Sequence, residues 1–113
     1  MKEIDISNFN TNNVINMDYI FFGCSSLREL NLSNFYTDNV IYMNIMFSRC
    51  SLLNKINLSN FNPSNVINLS YMFSGCSSLK EIYFSNFSIN NATNMNCMFY
   101  GCSNELKNKL RSL

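Results

Sequence analysis

The stretch LRELNLSNF, residues 27–35, decides the fold class. In its central part, ELNLS, apolar residues alternate with polar ones, which is the period of a strand with one buried face. The pattern L-x-x-L-x-L places Leu27, Leu30 and Leu32 on that buried face. The same frame returns twice further along the chain, as Leu53, Ile56 and Leu58 and then as Leu79, Ile82 and Phe84. The sequence therefore predicts a series of short strands of one kind.

These strands belong to a repeat of 26 residues. Three columns of equivalent residues show the period: Cys24, Cys50, Cys76 and Cys102; Phe9, Phe35, Phe61 and Phe87; Ile4, Leu30, Ile56 and Ile82. Residues 1–104 divide without insertion or deletion into four units, 1–26, 27–52, 53–78 and 79–104. The tail, residues 105–113, departs from the pattern. A fixed period of this length with an L-x-x-L-x-L opening is the signature of leucine-rich repeats.

We expect parallel strands near residues 3–7, 29–33, 55–59 and 81–85, one in each unit. The second half of the unit has another rhythm, because Val40, Met43, Phe47 and Cys50 are spaced like one face of a helix. Thr37 or Asp38 can cap that helix, and Pro63 suits its start in the third unit. The predicted fold is an α/β repeat: a short leucine-rich-repeat solenoid of about four coils, with parallel strands on one face and short helices on the other.

Composition narrows the classes of function. The chain has 113 residues, enough for one domain, with 47% apolar and 13% charged residues and a net charge of +1. This balance argues against nucleic acid as a partner, since nucleic acids select a basic face. No stretch approaches the roughly 18 apolar residues of a membrane span. The start shows no apolar signal-peptide core. As given, the chain is expected to be either cytoplasmic or an excerpt of a longer one.

Two further kinds of column are interpreted as structural. The Phe column (Phe9, Phe35, Phe61, Phe87) is predicted to form a stacked aromatic spine in the core. Buried Asn side chains can satisfy backbone groups at turns and pass hydrogen bonds to the next coil. We expect this of Asn8, Asn34, Asn60 and Asn86, and of Asn13, Asn39, Asn65 and Asn91.

The Cys column (Cys24, Cys50, Cys76, Cys102) has three interpretations: core packing, disulfides, or a metal or reactive site. Zinc needs four converging ligands, usually in closely spaced pairs, and the chain has no histidine and no two column cysteines in one unit. Adjacent coils could bring cysteines within bridging range, but side chains in register run parallel and do not face one another. Small buried thiols are common in cores. Packing is the favoured interpretation, and disulfides are the main alternative.

Nothing in the sequence indicates an enzyme, a cofactor or a metal site. Histidine is absent, the glycines all lie in the repeated G-C step, and the carboxylates fall mostly at strand positions that face solvent. Cys97 is the fifth cysteine and stands where other units have Tyr19, Ile45 and Tyr71. A catalytic thiol at Cys97 is the least favoured hypothesis for the function of the chain.

The outward columns of the strands form the candidate binding face, which is polar and flat. Its residues are Glu3, Asp5, Glu29, Asn31, Lys55, Asn57, Glu81 and Tyr83. Tyr83 is the named hot-spot candidate, since hot spots are usually aromatic or Arg. In the tail, Leu106, Leu110 and Leu113 share one helical face behind a candidate N-cap, Ser103. The tail is thus predicted to be a helix that closes the last coil. Uncapped ends predict self-association.

The segment NLSNFNPSNVINLSYMFSGCSSLKEIYFSNF, residues 57–87, resembles the repeat of BspA-like leucine-rich-repeat surface proteins. The S-N-F triplet, the N-V step, the M-F pair and the G-C-S step recur at the family's offsets over essentially residues 1–104. Departures include Arg49 for glycine, Ala92 for valine, Ile20 for the first Met of the M-F pair, and Pro63 and Ile89 for threonine.

The resemblance implies a cell-surface or extracellular protein that binds an unidentified protein on a host or neighbouring cell, and it carries no catalytic residues. The expected function is therefore a non-enzymatic protein-binding or adhesion module. The alternative is a structural spacer or self-associating repeat segment without a ligand of its own.

Overall fold

The computed structural model describes residues 11–84 and 93–110. Along the chain, its elements are β1 (Glu29–Asn31), β2 (Lys55–Asn57), a 3-10 turn (Pro63–Asn65), β3 (Glu81–Tyr83) and α1 (Asn104–Leu110). The strand predicted near residues 3–7 lies outside the described residues.

The three strands form one parallel sheet in the order β1-β2-β3. Each residue pairs with the residue 26 positions later, so that Leu30 lies beside Ile56 and Ile56 beside Ile82. The side chains of Leu30 and Ile56 are buried, and that of Ile82 is partly buried. Each strand is three residues long and not five, because the backbone turns directly afterwards. The Oδ1 atoms of Asn31 and Asn57 accept hydrogen bonds at those turns from the N–H groups two residues on.

The second half of each unit is not the helix that the spacing of apolar residues predicts. We call residues 15–24, 41–50, 67–76 and 93–102 the turn halves. They consist of consecutive turns, and two positions in each have positive φ. One is the glycine of the G-C step, replaced by Arg49 in the second unit. The other is not a glycine in any unit: the residues are Tyr19, Ile45, Tyr71 and Cys97, with φ between 55° and 65°.

Hydrogen bonding explains why no helix forms there. A helix satisfies its N–H groups internally, four residues back. Here alternate N–H groups point to the next unit instead: in the first unit those of Met17, Tyr19, Phe21 and Gly23 donate to the carbonyls of Tyr42, Asn44, Met46 and Ser48, at 2.8–3.3 Å. The second and third units repeat the arrangement. The units therefore hydrogen-bond to one another along their turn halves as well as along their strands.

The stacked aromatic column also differs from the predicted one. Among the described residues, parallel stacking joins Phe21, Phe47, Phe73 and Phe99, with ring centroids 5.3–5.5 Å apart and interplanar angles of 2–12°. Phe35 and Phe61 are buried as predicted, and Phe35 meets Phe21 at a tilt. Phe9 and Phe87 lie outside the described residues. The spine thus belongs to the M-F step of the turn half.

The Asn columns make hydrogen bonds between units, but on the surface and not in the core. The side-chain amides of Asn39 and Asn65 donate to the carbonyls of Asn12 and Asp38 in the preceding unit, at 2.6 and 2.8 Å. Asn60 donates in the same way to the carbonyl of Ser33. All three are exposed, as are Asn13 and Asn34. Asn8, Asn86 and Asn91 lie outside the described residues.

Threonine forms a buried hydrogen-bond bridge between neighbouring units. Thr37 is fully buried; its hydroxyl accepts from the N–H of Asn62 at 2.8 Å and donates to the carbonyl of Asn62 at 3.3 Å. Thr11 makes the equivalent pair of bonds with Tyr36. The threonine predicted as a helix cap therefore links two units, and Pro63, which lacks a hydroxyl, stands in its place in the third unit.

The tail contains the helix α1. Ser103 Oγ accepts from the N–H of Leu106 at 3.2 Å, which is N-cap geometry, and the side chain of Leu106 is buried against the last unit. Lys109 forms an i,i+4 ion pair with Glu105 on the exposed side. Within the described ranges, no helix is long and apolar enough to cross a membrane.

Candidate functional site

The outward residues of the strands lie on one exposed surface, the strand face. Glu29, Asn31, Lys55, Glu81 and Tyr83 are exposed and Asn57 is partly buried. In-register pairing puts Lys55 directly between Glu29 and Glu81. Glu3 and Asp5, the first members of these columns, lie outside the described residues.

Two side chains of the strand face already have a structural role. The side-chain oxygens of Asn31 and Asn57 accept backbone N–H groups at 2.9 Å, in the turns that end β1 and β2. A partner could therefore compete for these oxygens only by loosening the turns. The third member of the column, Tyr83, makes no such turn.

Tyr83 instead belongs to a small polar cluster with Lys55 and Glu81. Its hydroxyl donates a hydrogen bond to Glu81 Oε2, and Lys55 Nζ lies 5.3 Å from the centre of its ring. The hydrogen bond from Tyr83 lowers the pKa of Glu81, helped by the charges of Lys55 and Lys109, and raises the pKa of Tyr83. The cluster holds an aromatic ring, 47% exposed, in one orientation on an otherwise polar surface.

The turn halves carry a second exposed surface that sequence reasoning missed. Tyr19 and Phe22 meet edge to face at 5.8 Å, and the guanidinium of Arg49 lies 5.8 Å from the centre of the Phe22 ring. Tyr19 is 54% exposed and Phe22 44% exposed. A signal was present in the sequence: the Tyr19, Ile45 and Tyr71 column is apolar but out of phase with the helix face that was inferred.

The column cysteines are free thiols that bond to backbone. The Sγ atoms of Cys50, Cys76 and Cys102 donate to the carbonyls of Phe21, Phe47 and Phe73 in the preceding unit, at 3.0–3.2 Å. These three are buried, and Cys24 is partly buried. Burial raises the pKa of Cys24 and of Cys102. The pKa of Cys76 is raised by the nearby thiol of Cys50 and then by burial. Buried, protonated thiols are poor nucleophiles and poor metal ligands.

Cys97 is exposed, and its neighbour in the preceding unit is Tyr71. Hydrogen bonding to Cys97 raises the pKa of Tyr71. Across the described part of the chain, no three His, Cys, Asp or Glu side chains group closely enough to hold a metal ion.

The comparisons with known proteins give one match. The family described as "Mycoplasma protein of unknown function, DUF285" matches residues 1–112. The search of curated proteins and that of solved structures each found no significant match. Because the match spans nearly every residue, the chain belongs to the DUF285 family.

Proposed function

We propose that the chain is a non-enzymatic protein-binding or adhesion module built as a short leucine-rich-repeat solenoid. By its resemblance to BspA-like proteins, its setting is the cell surface or the extracellular space. Its partner is then a protein on a host or neighbouring cell.

The 26-residue register supports the solenoid. The same offset relates the strands β1, β2 and β3 and, independently, the bridge residues Asn16, Tyr42, Asn68 and Asn94 of the turn halves. Two parallel ladders at the same offset are what stacked, equivalent coils produce.

The observation that carries the binding function is the cluster around Tyr83. Side chains that bind proteins tightly are often aromatic rings held in place before the partner arrives, because little entropy is then lost on binding. Tyr83 meets this condition through Glu81 and Lys55. The charged neighbours also provide a polar rim around the ring.

One observation favours the spacer as a second candidate. The oxygens of Asn31 and Asn57 already serve the turns that end their strands. Since these side chains have a structural role, the presence of both asparagines on the strand face can be explained without a ligand.

A comparison of two tyrosines tests the binding function. Tyr83→Ala and Tyr36→Ala remove rings of nearly equal exposure, 47% and 48%, and Tyr36 lies outside the strand face. The chain and both variants are passed over immobilised extracellular-matrix proteins and over intact host cells. We expect Tyr83→Ala to weaken capture about 30-fold, a loss of roughly 2 kcal/mol, and Tyr36→Ala to leave it unchanged. Absence of capture, or equal capture by all three proteins of unchanged stability, would favour the spacer.

A further inference from the structure

The turn halves contain four rows of aligned peptide groups, which we call the amide rows. Each row runs through the four units, with every C=O directed to the preceding unit and every N–H to the following one. The peptide groups are 16–17, 42–43, 68–69 and 94–95 in the first row; 18–19, 44–45, 70–71 and 96–97 in the second; 20–21, 46–47, 72–73 and 98–99 in the third; 22–23, 48–49, 74–75 and 100–101 in the fourth. Aligned peptide dipoles add, as they do in a helix.

In the described part of the chain, the two ends of the amide rows consist of opposite kinds of group, neither of which has a hydrogen-bond partner there. Within the described residues, the carbonyls of Asn16, Asp18, Ile20 and Phe22 accept no hydrogen bond, and we call this the acceptor edge. At the other end, the N–H groups of Met95, Cys97, Phe99 and Gly101 donate none to described residues; this is the donor edge. On both edges these groups occur at every second residue, as do the groups that hydrogen-bond between the inner units. A donor edge placed on an acceptor edge therefore reproduces the internal junction.

Apolar side chains at the two edges are complementary in the same way. Ile20 is 46% exposed, whereas its equivalents Met46 and Met72 are completely buried against the preceding unit. Met95 is 41% exposed, whereas its equivalents Met43 and Leu69 are buried. Each edge thus exposes the side chain that an inner junction would cover.

Around Gly23 and Cys24, the acceptor edge also lacks the contacts that a preceding unit makes elsewhere in the chain. A Cβ added at Gly75 or Gly101 would lie 3.4 or 3.3 Å from backbone of the preceding unit, whereas one added at Gly23 meets nothing within 4 Å. Cys24 is the one column cysteine whose thiol donates to no carbonyl among the described residues.

We propose that the acceptor edge of one chain binds the donor edge of a second copy, so that copies stack head to tail in the register of the repeat. Four backbone hydrogen bonds form, Ile20 and Met95 become buried, and the ring of Phe21 can stack on that of Phe99. The contact joins two different surfaces, so it does not close and can continue as a chain of copies.

Helix α1 limits this assembly. Between inner units, the N–H of Asn54 bonds to the carbonyl of Arg28, and that of Lys80 to the carbonyl of Asn54. The carbonyl of Lys80 instead accepts the side chain of Lys109 from α1, at 3.3 Å. Hence α1 takes the place of the next strand, while the N–H groups of the donor edge donate to none of the described residues. A complete junction requires α1 to move aside, which costs the burial of Leu106.

Cross-linking of the full chain tests the stacking. In a head-to-tail junction, Tyr19 of one copy lies beside Cys97 of the other, one unit away in the same column. A short bismaleimide applied to the Tyr19→Cys variant should link position 19 to Cys97 between copies and produce a ladder of dimers, trimers and larger species. The matched control is Tyr71→Cys, since Tyr71 neighbours Cys97 within one chain; its link should form inside the monomer. A ladder absent from the first variant, or built from 19–19 and 97–97 links in mapped peptides, would overturn the proposal.

Two further variants locate the junction. Added to Tyr19→Cys, Ile20→Asp places a charge in the contact and should lower the cross-linked fraction about tenfold. Added to the same variant, Leu106→Asp releases α1 and should raise the cross-linked fraction; an unchanged fraction in folded protein would contradict the limiting role of α1. These measurements concern the ends of the stack, whereas the Tyr83 experiment concerns the strand face. Failure of one proposal is therefore distinguishable from failure of the other.

Discussion

The strand half and the turn half of each unit use the backbone in different ways. In the strand half, three residues pair in an ordinary parallel sheet and a single central residue, such as Ile56, points inward. In the turn half, ten residues fold into successive turns, and alternate N–H groups still reach the next unit. The parallel ring stack of Phe21, Phe47, Phe73 and Phe99 lies on this second side.

The difference shows how a spacing of three and four residues can arise without a helix. Positive-φ positions, at Ile45 and Arg49 in the second unit, reverse the chain direction between turns. As a result Met43, Met46, Phe47 and Cys50 all face the core, although no helix carries them there. Stacking along both halves then proceeds at the strand spacing of about 4.8 Å, which a helix some 10 Å wide would not fit.

The largest expected effect comes from the ring stack. Phe47 is completely buried between Phe21 and Phe73. We expect Phe47→Ala to lower the free energy of unfolding by about 4 kcal/mol, and Ile56→Ala in the strand half by about 3 kcal/mol. Urea titration followed by circular dichroism measures both. If Ile56→Ala proved the more damaging by a clear margin, the strand half would hold the principal core.

The buried thiol of Cys76 predicts a loss of stability at alkaline pH. The pKa of the buried Cys76 thiol is raised, so the folded protein keeps a proton that the unfolded chain loses above about pH 8.5. The contribution of Cys76 to stability is therefore complete below that pH and is lost as the pH rises. Urea titrations at pH 7 and pH 10 should show a smaller loss in Cys76→Ala. The exposed Cys97 provides the control, because Cys97→Ser should keep the part of the loss that Cys76 causes.

A smaller effect is expected from the threonine bridge. Thr37→Val keeps the shape of the side chain but leaves the N–H and C=O of Asn62 without the hydroxyl that now serves both. We expect a loss of about 1.5 kcal/mol in the free energy of unfolding. Thr37→Ser, which keeps the hydroxyl, should recover part of it. Equal stability of the Val variant and the parent would mean that the bridge contributes nothing.

The smallest expected effect is an increase in the free energy of unfolding. Arg49 has φ of 63° where three other units have glycine. Arg49→Gly removes a left-handed penalty of about 1–2 kcal/mol but also loses the contact with Phe22 and adds freedom to the unfolded chain. We expect a net gain of about 0.5 kcal/mol by urea titration. Arg49→Ala keeps the penalty and loses the contact, so it should be less stable than the parent.

The sequence alone was enough to predict the strand half. Alternation around Leu30 and Ile56 has one interpretation, because only a strand places successive side chains on opposite faces. Parallel pairing in the 26-residue register and the exposure of Glu29, Lys55 and Tyr83 follow from it. The prediction of five-residue strands was wrong, since Asn31 and Asn57 close turns directly after the pairing.

The turn half could not be predicted from apolar spacing. Val40, Met43, Phe47 and Cys50 satisfy a helical pattern, and φ at Ile45 or Tyr71 is set by bonds to the neighbouring unit, which lie 25 residues away in sequence. Local propensity does not contain that information. One hint was available: the G-C step, since glycine tolerates positive φ.

Gly75→Ala tests the central claim, that the second half of each unit is a series of turns with two positive-φ residues and not a helix. Gly75 has φ of 79°, and an added Cβ would lie 3.4 Å from the backbone of Arg49. We predict that the substitution lowers the free energy of unfolding by about 1–2 kcal/mol, and that Gly23→Ala, with the same strain but open space, lowers it less. In a helix, the same change would raise the free energy of unfolding by about 1 kcal/mol. A stabilised Gly75→Ala variant would contradict the account.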